Sequence, residues 1–336
     1  MKVLSFLILA LFFWCFPQTD KLKPFHLSGY TQGTTYHITY YAKDSLVNQG
    51  EIEYILAGID SSLSVYKPYS LISKFNASDR AVKADRHVKA VVNKSKEVFE
   101  KTGGIFDITI QPLVEAWGFG AKAGNDIPDS AAVGRLMNCV GMEKLHLSKD
   151  SLVKDSRCLQ IDVNGIAQGY SVDILASYLE RRGIRNYLVE IGGEIRIKGR
   201  RQPDGGLMSV GVEGPADDFN PEPLQKILYV GDGAITTSGN YRKYYQKGNR
   251  KISHLIDART GYPIQNELIS VTLWAKDAIT ADGYDNALMG MGLENAIAFT
   301  SRQKNLEAYL IYHKPDGSVA DTASAGFYKL MKKDRY

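Results

Sequence analysis

The stretch IDVNGIAQGYSVD, Ile161–Asp173, decides how the chain is read. An apolar run ends on Asp162, Asn164-Gly165 makes a turn, and small residues then open a helix. The pattern predicts a strand over 158–163 and a helix over Ile166–Arg182. Ala167, Tyr170, Ile174 and Tyr178 lie with Leu175 and Leu179 to one side of that helix, and Gly183 is its stop. Such a unit is either a plain strand-to-helix connector or a floor for a phosphate and its metal. A carboxylate beside an exposed glycine carbonyl offers oxygens to a hard cation. The free N–H groups of a helix start attract phosphate. Asn-Gly is also a common turn without chemistry, so the remaining sequence must choose.

Outward from this stretch, strands and helices are interspersed. Residues 28–42 alternate like a strand. Ile52, Ile55, Leu56, Ile59 and Leu63 recur at helical spacing, a helix fits Val88–Lys101 before Gly103-Gly104, and Ser130–Met142 is predicted helical. Downstream, Tyr187–Lys198 is a strand pattern broken at Gly192-Gly193. Further strands are expected at 207–213, 226–231, 251–257, 268–274 and 306–313, and helices at 277–290 and 293–303. This order indicates an α/β or α+β protein with one continuous core.

The 336 residues, 44% apolar and 23% charged, suit a globular protein with a large interior. The net charge is only +4, and basic clusters such as Lys198–Arg201 lack interleaved aromatics, so no nucleic-acid partner is expected. The first residues differ in character. Lys2 precedes an uncharged run, Val3–Phe16, which reads as an export signal or retained anchor over residues 1–18, with membrane contact through the N-terminus. Cys15 ends that run and is open to lipidation, although Phe13 and Trp14 beside it are bulky. Cys139 and Cys158 make no zinc site; they are expected as small buried hydrophobes, with a disulfide left open.

Three further groups carry chemistry. In DAITADGYDNALMG (277–290), Asp282, Asp285 and Asn286 share one helix face among Ala, Leu and Met. Burying them needs a partner, and oxygen-only ligands select Mg²⁺, Mn²⁺ or Ca²⁺ over zinc. In SHLIDARTGYPI (253–264), preceded by TTSGNYRKYY, Ser238-Gly239 and Thr260–Pro263 read as turns; His254 and Asp257 lie near them, and either is a candidate to assist proton transfer, His254 as a shuttle. Tyr66, Trp117 and Phe119, with Gly118 and Gly120 as breaks, are candidate walls for a planar ring system. No G-x-S-x-G elbow, Walker A pattern or complete G-x-G-x-x-G occurs, which disfavours serine hydrolases, P-loop proteins and Rossmann dinucleotide binders.

Together the ordered blocks GTTYHITY (33–40), YKPYSLISKFN (66–76), FDITIQPLVEAWGFG (106–120), IDVNGIAQGYSVD, LVEIGGEIRIKG (188–199), TTSGNYRKYY, SHLIDARTGYP and ADGYDNALMGMG (281–292) resemble the ApbE family of FAD:protein FMN transferases. The resemblance spans about Gly29 to the end. It implies a T-fold-like ApbE domain over residues 25–336, on the periplasmic side of the bacterial inner membrane. The implied activity is Mg²⁺-dependent transfer of FMN from FAD to a threonine in a D-x-x-(S/T)-G-A-T motif of an acceptor protein, releasing AMP. The acceptors implied are subunits of membrane redox pumps. FAD hydrolysis to FMN and AMP, or FAD binding without catalysis, are the alternatives. By position, Tyr66, Trp117, Gly118, Phe119, Asp162, Gln168 and Leu255 resemble FAD contacts, and Gln32 stands where the family usually has Met. Gly165, Asp282 and Asn286 resemble the Mg²⁺ ligands, Asn286 replacing the family's usual Thr.

Overall fold

The computed structural model describes residues 22–120, 127–214, 224–240, 244–247 and 250–332. The expected export run and Cys15 lie outside these residues. Eight strands form the main sheet: β1 (Lys23–Thr31), β2 (Thr34–Ala42), β3 (Tyr187–Ile191), β4 (Glu194–Lys198), β5 (Asp232–Gly239), β6 (Leu268–Ala275), β7 (Leu306–His313) and β8 (Val319–Ala323). Their spatial order is their chain order, and every neighbouring pair is antiparallel. Helices enter as excursions from this meander. Between β2 and β3 the chain forms α1 (Gln49–Leu63), α2 (Leu71–Ala77), α3 (Arg86–Thr102), α4 (Gln111–Ala116), α5 (Ser130–Met137) and α6 (Asn164–Arg181). Helices α7 (Ala278–Met291) and α8 (Leu293–Arg302) join β6 to β7, and α9 (Ala325–Leu330) follows β8.

Alternation along the strands divides the sheet into two faces. Tyr36, Ile38, Val189, Ile191, Val271 and Leu273 pack with Val172, Leu175 and Leu179 of α6 and Ala281 and Leu288 of α7. Ile197, Ile235, Ile269 and Ile311 on the other face meet Phe327 of α9 and the ribbon of Met208–Glu213 with Leu224–Val230. A third cluster between α1, α3 and the start of α6 joins the first through Ile55 and Phe106, which pack against both. Among the described residues no helix is long and apolar enough to cross a membrane.

Several segments depart from the sequence reading. Residues 28–42 are a hairpin, not one strand: Thr31 pairs with Thr34, and Gln32 (φ 51°) and Gly33 (φ 77°) make the two-residue turn. Positive φ at both central positions matches the right-handed twist of the flanking strands, and the alternation continues beyond the turn. The 158–163 segment is extended, with Leu159, Ile161 and Val163 buried, but among the described residues its one bridge is Ile110 to Gln160, and no ladder forms there. Helix α5 stops at Met137, and a separate short turn covers Met142–Lys144.

Cys139 and Cys158 form a disulfide rather than two buried hydrophobes. It ties the end of α5 to the segment before Ile161. Closing a 19-residue separation restricts the unfolded chain. Removing it through Cys139→Ser with Cys158→Ser is therefore expected to cost about 3 kcal/mol in a denaturant titration.

Helices α6 and α7 are in close contact at Gly169. A Cβ there would lie 2.3 Å from the Ala278 carbonyl oxygen and 2.7 Å from Asp282 Cβ. Gly169→Ala must push the helices apart, so we expect a loss of about 1–3 kcal/mol in thermal melts. The same contact seats Asp282, whose Oδ2 accepts the Gly169 N–H.

Candidate active site

The first turn of α6 is kinked. Gly165 has φ −82° and ψ 17°, outside the helical range. Its carbonyl oxygen accepts a 3.3 Å hydrogen bond from Asn286 Nδ2 on α7. The same nitrogen donates to the Asp282 carbonyl at 2.9 Å and to Asp285 Oδ1 at 2.9 Å, while Asn286 Oδ1 accepts from Ser238 Oγ of β5 at 3.2 Å. One turn further along α6, the Gly169 N–H donates to Asp282 Oδ2 at 2.8 Å. Residues more than a hundred positions apart in the chain thus meet, because the glycine contact lets α6 and α7 touch. Three oxygens surround one amide nitrogen that has only two hydrogens. An amide turned the other way occupies the same volume and presents oxygen instead.

Asp282 and Asp285 are 4% and 1% exposed. Burial pushes the Asp282 carboxyl up to about 7. Burial, followed by the charge of Asp282, pushes Asp285 well above the ordinary carboxylate range. The Thr236 hydroxyl lies beside Asp285 without a hydrogen bond of normal geometry. Among the described residues neither aspartate pairs with a lysine or arginine, and no group of three or more His, Cys, Asp or Glu side chains is placed to hold a metal. Two buried carboxyls without a cation are costly. A carbonyl, a carboxamide and carboxylates are the donors of a hard divalent ion. These residues fit Mg²⁺.

Around this centre lie the other predicted residues. Asp162 Oδ1 accepts the Asn164 N–H at 2.8 Å, and Asn164 Nδ2 reaches the hydroxyl of Tyr66 at 3.3 Å, so Tyr66 meets the turn that carries Asp162 and Gly165. The Tyr66 side chain is 61% exposed. Gln32 Nε2 donates to Ser171 Oγ of α6 at 2.8 Å. Gln168 lies against the β3–β4 turn, 3.1 Å from where a Gly192 Cβ would stand. Gln32 and Gln168 thus set two hairpin turns against α6.

Trp117, Gly118 and Phe119 meet the 254–262 segment. Trp117 is buried and its Nε1 donates to the Gly261 carbonyl at 2.8 Å, which makes it a wall anchored in the core. Phe119 stands edge-on to His254 with centroids 6.2 Å apart. Leu255 packs into the same cluster as Phe106, whose ring lies 3.4 Å from a Cβ built on Gly165. Asp257 accepts Arg259 Nε at 2.9 Å and Nη2 at 2.7 Å. Burial works to raise its carboxyl, but Arg259 outweighs that and holds it below its ordinary value.

The residues that the sequence did not single out are Thr236 and Glu194. Both are buried, and the charge of Glu194 adds to the upward shift of Asp285. Ser238-Gly239, read as a turn, instead ends the central strand β5.

The model of the ApbE family matches residues 32–310. The chain belongs to the ApbE family. An FAD:protein FMN transferase of Vibrio cholerae is 38% identical over 315 residues, which cover 92% of this chain and 93% of that one. Its counterpart in Haemophilus influenzae is 33% identical over 325 residues, covering 93% of each. Among solved structures, the flavin transferase ApbE from Vibrio cholerae superposes with a TM-score of 0.82 at 36% identity, covering 92% of this chain and 99% of its own. The Pseudomonas stutzeri flavinyl transferase ApbE has a TM-score of 0.82 at 32% identity, covering 93% and 98%. The antiparallel meander with its helical excursions is therefore the ApbE fold. Gly165, Asp282 and Asn286 lie within the matched residues.

Proposed function

We propose that this ApbE-family chain is a flavin transferase that moves FMN from FAD to a threonine of an acceptor protein carrying D-x-x-(S/T)-G-A-T, releasing AMP, with Mg²⁺ as cofactor. The observation that carries the reading is the meeting of the Gly165 carbonyl with Asp282 and Asn286 across α6 and α7. Bound there, Mg²⁺ would neutralise the oxygens of a diphosphate and make its phosphorus a better electrophile. The residues that would hold it are Gly165, Asp282 and Asn286, with Asp285 beside them.

The chain's own groups do the rest. The kinked turn at Asp162–Gly165 offers backbone and side-chain dipoles to FAD, and Tyr66, Phe119 and Leu255 offer it apolar surface. The acceptor hydroxyl displaces AMP at the FMN-side phosphorus and must lose its proton. Asp257 is committed to Arg259; His254, half-buried beside Phe119, is the better base by position.

We also propose export to the periplasmic side of the membrane. The Val3–Phe16 run supports it, as does the disulfide, which persists in oxidising compartments. Incubation with FAD, Mg²⁺ and a purified protein bearing the acceptor motif tests the activity by mass spectrometry. An added FMN mass on the motif threonine is expected. Free FMN and AMP with unmodified acceptor would make the chain a hydrolase, and unchanged FAD would leave it a binding protein.

A further inference from the structure

We propose that Asn76, the last residue of the YKPYSLISKFN block, is a positioning residue that holds the Asp162–Gly165 turn in its FAD-binding shape. The inference rests on the functional reading above. The turn needs such a device because the chain leading to it has no ladder: among the described residues, Ser156–Val163 is tied to chain segments outside its own turns by one isolated bridge, Ile110 to Gln160, and by a backbone bond from Asp162 N–H to the Ile108 carbonyl at 2.7 Å. Asn76 replaces the absent strand. Its Oδ1 accepts the Ile161 N–H at 2.8 Å and its Nδ2 donates to the Ile161 carbonyl at 2.9 Å. One carboxamide thus satisfies both backbone groups of a single residue, as a partner strand would. Ile161 itself is buried, so it cannot drift toward water without losing its packing.

The grip is anchored from behind. Lys154 is 2% exposed, yet its ammonium is turned inward. Nζ donates to the Leu159 carbonyl at 2.9 Å, lies 3.5 Å from the Asn76 carbonyl oxygen, and stands 4.9 Å from the centre of the Phe75 ring. Burial pushes that ammonium below its ordinary range. The Leu159 carbonyl, the Asn76 carbonyl at the end of α2 and an aromatic face compensate part of the charge. One lysine thereby links the end of α2, which carries Asn76, to Leu159, two residues before Ile161. On the far side, Cys158 is fixed by its disulfide to Cys139. Lys154, Asn76 and Cys158 all act on the four residues before Asp162, and none touches the oxygens gathered at Asn286. A shift of Ile161 would be passed directly to Asp162 and then to the Gly165 carbonyl. Misplacement of a binding group by about 1 Å can cost 10²-fold.

The test compares FAD affinity with stability. Asn76→Ala is expected to raise the Kd for FAD, read by quenching of flavin fluorescence with Mg²⁺ present, by ten-fold or more, and to raise KM in transfer in parallel. Ile197→Val, a buried change in β4 on the opposite face of the main sheet, is the control for mere loss of stability. It should lower Tm while leaving Kd within two-fold of wild type. Asn76→Asp, which keeps the acceptor for the Ile161 N–H and loses the donor, should fall between wild type and Asn76→Ala. The proposal is overturned if Asn76→Ala binds FAD within two-fold of wild type, or if Ile197→Val weakens FAD as much. If Asn76→Ala is not recovered folded, Lys154→Met is read by the same criterion. Failure of the wild-type chain to bind FAD would overturn the functional reading instead, so the two failures are told apart.

Discussion

Asp282→Asn is expected to lower kcat/KM for flavin transfer by about 10²-fold or more, with the chain still folded. The substitution keeps the volume and an oxygen for the Gly169 N–H, which donates to Asp282 Oδ2 at 2.8 Å. It removes only the charge. If that charge helps to hold a divalent ion supplying several kcal/mol of electrostatic stabilisation, losing about 2.7 kcal/mol of it corresponds to 10² in rate. In the metal-free state the effect should have the opposite sign. An unpaired buried carboxylate is unfavourable, so the variant should melt at or above the wild-type temperature in EDTA at pH 8. Asp282→Ala would also leave the Gly169 N–H without an acceptor and so confuse the two effects. Steady-state transfer assays and paired melts check both halves. Unimpaired transfer by Asp282→Asn would remove this carboxylate from the reaction.

The second large effect is a linkage between pH, Mg²⁺ and stability. Burial raises the folded-state Asp282 carboxyl to about 7, from an ordinary value of 3.8. A group raised in this way favours the folded state while it is protonated. Its contribution is complete below its unfolded value and is lost as pH rises through about 7. Asp285 shifts in the same direction. In EDTA, therefore, the wild-type Tm should fall between pH 5 and pH 8 relative to that of Asp282→Asn. Mg²⁺ binds the ionised form and should reverse the loss at pH 8. At a hundred times its Kd it adds about 2.7 kcal/mol, or roughly 4 °C in a chain of this size. Melts of both proteins at the two pH values, with EDTA or Mg²⁺, make the measurement. Identical wild-type and variant curves under all four conditions would show that no cation is held by this carboxylate.

Much of the site could be read before folding because helices are local objects. The periodicity of Ile52–Leu63 and Val88–Lys101 depends on residues three and four apart, and α1 and α3 lie where it puts them. The same locality placed Asp282 and Asn286 on one face of α7. Strands are different, since a strand exists only through its neighbours. Asp232–Gly239 is small and polar, with no alternation to mark it, yet it is the central strand β5 and lies under α7. Residues 158–163 alternate well, but among the described residues no strand lies alongside them; Asn76 satisfies Ile161 instead. Trp117 stands on a glycine-flanked loop in sequence and in the core in space, because Gly261 accepts its indole N–H across 144 positions.

Residue order alone settled which segments coil, where the acidic side chains sit on their helix, and which family the ordered blocks resemble. Each of those depends on neighbours within a few positions or on pattern. Folding alone settled that Gly165 faces Asn286, that Cys139 meets Cys158, and that Asp282 is sealed from water. Those facts arise where remote segments touch, and contact at a distance is chosen by the packing of the whole interior.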